Sequence, residues 1–136
     1  MTYFFLASHG RLASGMKSSM EILTGESRRL TVFDAYVDES SLEEAAERFI
    51  EGLGPDDDGV FLSDIYGGSV NSVLYTFLDR PRIRLVAGVN LPLVIGLLLA
   101  GETLDADSLE RIIEESREGL RIVTLEDGEE EEGELF

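Results

Sequence analysis

Thr2-Tyr3-Phe4-Phe5-Leu6-Ala7-Ser8-His9-Gly10 begins with residues suited to a buried strand and runs at once into the only histidine of the chain and a glycine. Helical spacing follows directly. Leu12, Met16, Met20 and Leu23 fall on one face over residues 12–24, and Gly25 is placed as a helix stop. A strand that turns into a helix is the unit of an α/β fold with a mostly parallel sheet. The pattern recurs at Gly59-Val60-Phe61-Leu62-Ser63, which runs into Asp64-Ile65-Tyr66-Gly67-Gly68-Ser69 and a helix predicted over 70–78. In an open parallel sheet the carboxyl ends of strands line the functional crevice. His9 and Asp64 both fall at such ends, beside a glycine pair that opens a helix.

The rest of the chain keeps the alternation. A second strand is predicted near 30–36, ending in Asp38-Glu39. Ser41 then caps a helix, with Glu44 as the partner in a capping box and Leu42, Ala45, Ala46, Phe49 and Leu53 inward. Gly54-Pro55-Asp56-Asp57-Asp58 reads as a surface turn, because the spacing and downstream glutamate of an EF-hand loop are missing. Arg80-Pro81 ends the third helix, and 83–89 is the fourth strand. Pro92 suits the first turn of a helix over 93–100. A further amphipathic helix covers 106–118, with Leu109, Ile112 and Ile113 inward, and Gly119 ends it. Residues 120–125 read as a short fifth strand, largely buried. Residues 126–136 are acidic and glycine-punctuated, which reads as a disordered tail after one domain over 1–125.

Composition narrows the chemistry. The 136 residues suffice for one domain with a proper core, at 43% hydrophobic and 29% charged content. With no cysteine and a single histidine, disulfides, thiolate sites and multi-histidine metal sites within one chain are excluded. No metal or cofactor is expected. The net charge of −17, from 28 acidic against 11 basic residues, argues against nucleic acid and anionic lipid as partners. The first residues lack the pattern of a secretory signal. The longest apolar stretch, 85–100, is broken by Asn90 and Pro92, whereas a spanning helix needs ~20 apolar residues. A cytoplasmic location is expected.

A neutral imidazole is a competent nucleophile near neutral pH. A carboxylate on one ring nitrogen leaves the lone pair on the other and stabilises the cation formed after attack. Gly67, Gly68 and Ser69 at a helix start offer N–H groups and a hydroxyl to a phosphoryl group. Alone, each feature has an ordinary reading: a surface histidine, a helix cap, a turn. Their shared placement at two strand ends points to a site that holds and passes on a phosphoryl group.

Three segments carry a family likeness. Ser8-His9-Gly10-Arg11-Leu12-Ala13-Ser14-Gly15-Met16 resembles the phosphorylation motif of the mannose-type enzyme IIA domains of the bacterial sugar phosphotransferase system. Ser63-Asp64-Ile65-Tyr66-Gly67-Gly68-Ser69 resembles their second motif, and Ala87-Gly88-Val89-Asn90-Leu91-Pro92-Leu93 their third. The resemblance implies that His9 accepts phosphate from HPr and passes it to a IIB component, with Asp64 as its partner. Gly67, Gly68 and Ser69 would line the phosphoryl site, and membrane IIC and IID components would be indirect partners. It also implies an α/β fold with strand order 2-1-3-4, helices on both faces, and a C-terminal antiparallel strand exchanged in a homodimer. Ile65 stands where many relatives have a small hydroxyl residue, Tyr66 where tryptophan is frequent, and Leu93 where methionine is common. No IIB-like segment follows, so a free-standing IIA subunit is expected. Two alternatives stay open: the phosphotransfer subunit of a dihydroxyacetone kinase system, whose members tend to have serine after the histidine, and a non-catalytic regulatory dimer of the same fold.

Overall fold

The computed structural model describes residues 1–130. Four parallel strands form the sheet: β1 (Thr2–His9), β2 (Leu30–Ala35), β3 (Asp58–Ser63) and β4 (Ile83–Ala87). Their order is β2-β1-β3-β4, the 2-1-3-4 order expected, and every pairing is parallel. The helices are α1 (Leu12–Leu23), α2 (Leu42–Glu51), α3 (Ser69–Tyr75), α4 (Leu91–Leu99), α5 (Ala106–Glu118) and α6 (Leu125–Glu130).

Side chains alternate across a strand, so β1 feeds two cores. Phe4 and Leu6, with Val60 and Leu62 of β3, pack on Ala13 and Met20 of α1 and on the apolar faces of α4 and α5. Phe5, Ala7 and Phe61 point the other way, to Leu42 and Ala46 of α2 and Val70 and Leu74 of α3. Strands covered on both faces read as continuous apolar runs, which is how β1 and β3 look in the sequence. On the α2–α3 side the aromatic rings stack in series. Phe5 lies 5.4 Å from Phe49 and 5.5 Å from Phe61 between ring centres, and Phe61 meets Phe77 edge-on at 5.9 Å.

Local signals place most boundaries. The Ser41 hydroxyl accepts the Glu44 N–H at 3.2 Å, while Glu43 accepts the Ser41 hydroxyl proton. Asn90 caps α4 through the Leu93 N–H at 2.9 Å, with Pro92 in the first turn. α3 is shorter than expected because its end tightens into bonds from Thr76, Phe77 and Leu78 to the carbonyls three residues back. β4 stops at Ala87, because the Gly88 and Val89 N–H groups both turn to the Ser63 carbonyl. In the aspartate turn, Asp57 accepts the Gly54 N–H at 2.7 Å and the terminal ammonium at 3.2 Å.

The expected fifth strand does not form within the single chain. Residues 121–124 have no regular structure, and Leu120, Ile122, Val123 and Leu125 are 87%, 89%, 72% and 93% exposed. A strand exists only where a neighbour takes its N–H and C=O groups, and among the described residues no strand pairs with the segment. Of the tail expected to be disordered, 126–130 belong to α6, and 131–136 lie outside the described residues.

The ring series predicts where stability resides. Phe61 is fully buried between Phe5 and Phe77. Phe61→Ala should cost about 3–5 kcal/mol in urea unfolding, whereas Ile22→Ala on the exposed face of α1 should change it by less than about 0.5 kcal/mol. Equal costs would show that this ring series is not a centre of the core.

Candidate functional site

Register brings the site together. β1 and β3 pair with Ala7 opposite Ser63, so Asp64 emerges beside the end of β1. On the other side His9 pairs with Ala35, so Tyr36 emerges next to the histidine. Three neighbouring strands therefore deliver His9, Asp64 and Tyr36 to one edge of the crevice.

The turn after His9 is fixed from below. Gly10 takes a left-handed φ of +61°, which lets β1 turn directly into α1. The buried Ser8 hydroxyl donates to the Gly10 carbonyl at 3.1 Å and accepts the Ala13 N–H at 2.8 Å. Asp34 accepts both the N–H and the hydroxyl of Ser14, at 3.0 and 2.7 Å. These bonds tie the start of α1 to the sheet, so the histidine backbone has a rigid seat.

Asp64 grips that histidine twice. Its Oδ2 accepts the His9 backbone N–H at 2.8 Å and faces ring Nδ1 at 2.8 Å, while Oδ1 accepts the Ile65 N–H at 3.0 Å. The carboxylate is almost covered, with 6% of its side chain exposed against 42% for His9. Burial pushes the Asp64 carboxyl upward, but the bonds from the His9 backbone and ring outweigh it, and the net shift is below the ordinary value. An ionised carboxylate only accepts, so Nδ1 carries its proton into this bond. In the neutral ring the lone pair is then on Nε2.

Nε2 faces the Ser69 hydroxyl at 3.1 Å. Ser69 is the first residue of α3, where N–H groups have no intrahelical acceptor. Gly67, with φ +79°, makes the turn that sets α3 at this angle. The Gly68 N–H is used by the turn itself, donating to the Ile65 carbonyl at 3.2 Å. Gly68 lines the site at close range: a Cβ there would stand 3.6 Å from His9 Cε1, an ordinary contact. Ile65 and Tyr66 expose their side chains, and position 65 serves the site through its N–H to Asp64.

His9, Asp64, Gly67, Gly68 and Ser69, all read from the sequence, converge here. Tyr36 was missed. Its ring centre is 5.3 Å from that of His9, and its hydroxyl is 2.8 Å from Ser69 Oγ. The strand-end rule, applied to β2 as it was to β1 and β3, would have placed it at the crevice. Among the described residues no cluster of three or more histidine, cysteine or acidic side chains is arranged to hold a metal ion.

Comparison with known proteins agrees with this geometry. The family described as the PTS system fructose IIA component matches residues 3–114. The fructose-specific EIIA component of Bacillus subtilis is 26% identical over 107 residues, covering 76% of this chain and 73% of its own length. The mannose-specific EIIAB component of Escherichia coli is 29% identical over 85% of this chain, which spans only 38% of that protein. A Klebsiella pneumoniae structure described as a phosphoenolpyruvate-dependent sugar phosphotransferase system permease is 31% identical, with a TM-score of 0.81 over 89% of this chain and 90% of its own.

The lowered Asp64 carboxyl predicts an acid limb. A depressed native pKa means that the unfolded chain binds more protons, so the contribution is full above the ordinary carboxylate range and lost as pH falls through the native value. Stability measured from about pH 5 downward should therefore fall more steeply in the wild type than in Asp64→Asn. Parallel curves would show that the three bonds to Asp64 confer no such linkage.

Proposed function

Because the chain belongs to the fructose- and mannose-type IIA family of the sugar phosphotransferase system, we propose that His9 is its phosphorylated residue. Phospho-HPr is the donor and a IIB component the acceptor. The observation that carries this reading is the pair of contacts on the imidazole: Asp64 on Nδ1 at 2.8 Å and Ser69 on Nε2 at 3.1 Å. The Nε2 lone pair attacks phosphorus, a P–N bond forms, and the bond to the donor breaks with its electron pair returning to the donor. The imidazole becomes cationic, and Asp64 stabilises that charge without taking the proton. Ser69 and the backbone at the start of α3 donate to the phosphoryl oxygens, where most of the catalytic effect in such transfers arises. The reverse attack by the IIB nucleophile regenerates neutral His9. The membrane IIC and IID components are served indirectly, from the cytoplasmic side. No helix among the described residues is long and apolar enough to cross a membrane.

His9→Ala should abolish labelling by phospho-HPr with the fold intact by circular dichroism. Asp64→Asn should slow labelling rather than end it, because the amide keeps a contact but loses the charge. Undiminished labelling of His9→Ala would end the mechanism, and an unchanged rate in a folded Asp64→Asn would remove the electrostatic role.

The reading also includes a homodimer. The exposed apolar residues Leu120, Ile122, Val123 and Leu125 need a cover. The open edge of β4 borders a groove lined by Tyr66, Tyr75, Leu78, Leu85, Val86 and Ile113. One subunit's 120–125 segment laid on the partner's groove would satisfy both. Light scattering should find a dimer at micromolar concentration, converted to monomer by truncation after Gly119. A monomeric full chain, or a truncation that stays dimeric and equally stable, would reject strand exchange.

A further inference from the structure

Tyr36 is the residue of the site that no packing argument explains. It follows the last residue of β2 with a φ of +68°, a left-handed backbone that a bulky side chain adopts only under strain. Its side chain gains little shelter there, since the residue is 64% exposed. What it does make is one directed contact, from its hydroxyl to Ser69 Oγ at 2.8 Å, with its ring beside His9. Strain held without burial, at the edge of a site, calls for a functional reason.

The hydrogen-bond directions supply one. Asp64 accepts from Nδ1–H, so Nε2 of the neutral ring has only a lone pair to offer. Ser69 must therefore donate its hydroxyl proton to Nε2. Its oxygen is then free to accept, and the Tyr36 O–H is the donor that reaches it. The protons run one way, from Tyr36 through Ser69 to His9 and on to Asp64. A serine rotor by itself has several staggered positions; with Tyr36 donating to it, one is selected and polarised.

We propose that Tyr36 is a positioning residue for phosphoryl transfer, acting through Ser69. It holds the serine hydroxyl toward Nε2 in the resting protein, and toward a phosphoryl oxygen once the lone pair has been used to form the P–N bond. This rests on the phosphoryl-transfer reading above. Nothing is consumed: both hydroxyls keep their protons, and only the acceptor of the Ser69 bond changes, from nitrogen to phosphoryl oxygen.

The test uses the full chain and exploits its single histidine, whose ring nitrogens give unambiguous ¹⁵N resonances. Tyr36→Phe keeps the ring and removes the hydroxyl. It should slow labelling by phospho-HPr about 3- to 10-fold, the ratio that one hydrogen bond of ordinary net strength supports. In the unphosphorylated variant the Nε2 resonance should move while Nδ1, held by Asp64, stays. In a Ser69→Ala background, Tyr36→Phe should change neither rate nor resonance, because the coupling element is gone. An unchanged labelling rate in Tyr36→Phe overturns the proposal whatever the resonance does. An equal effect in the Ser69→Ala background overturns it too, since Tyr36 would then act independently of Ser69. Wild-type protein that phospho-HPr fails to label overturns the phosphoryl-transfer reading itself, whereas labelled wild type with an indifferent Tyr36→Phe overturns only the role of Tyr36.

Discussion

One carboxylate oxygen receives two hydrogen bonds from one residue, and the site depends on that. Asp64 Oδ2 takes the His9 backbone N–H and faces its ring Nδ1, each at 2.8 Å. The first bond locks the end of β1 to the end of β3. The second fixes which face of the imidazole is inward and which nitrogen is left for chemistry. A bond to the backbone alone would leave the ring free to turn, and a bond to the ring alone would leave the strand ends free to separate. Burial of the carboxylate opposes its charge, and the donors of the His9 backbone and ring more than offset that cost.

This grip is available only because β1 and β3 are neighbours. A parallel sheet in sequential order would put β2 between them, and no side chain would bridge the gap. The 2-1-3-4 order sets β1 centrally, with Asp64 on one side and Tyr36 on the other. Two cores on opposite faces then hold β1 and β3 flat, so the geometry at their ends is set by packing well below the site.

Much of this was legible in the sequence. The apolar runs of β1 and β3 end abruptly in His9 and Asp64, and such ends carry function in an open α/β sheet. Ser69 was legible because a glycine pair and a small hydroxyl residue at a helix start form a recognisable turn. Tyr36 was legible in place, at the end of β2, but not in role, because that comes from a left-handed backbone beside His9 that no residue pattern encodes for tyrosine. The segment 120–125 lacks strand structure in the single chain for a different reason. Its composition is that of a strand, but strand formation depends on a neighbour, and composition does not say whether the neighbour lies in the same chain.

Held at the backbone and at Nδ1, the imidazole has lost the swing about its own side-chain bonds that a tethered carrier arm would have. A stationary post cannot reach toward one protein and then another. For the proposed relay, donor and acceptor must therefore occupy the same small area above Nε2, one after the other. Traffic through such a point is mutually exclusive: each partner inhibits the other by occupancy, and the cycle can run no faster than the slower of the two departs. Tight docking, which would help either half-reaction alone, would stall the pair. The pair of hydrogen bonds to Asp64 thus favours brief, weak encounters on both sides of the exchange.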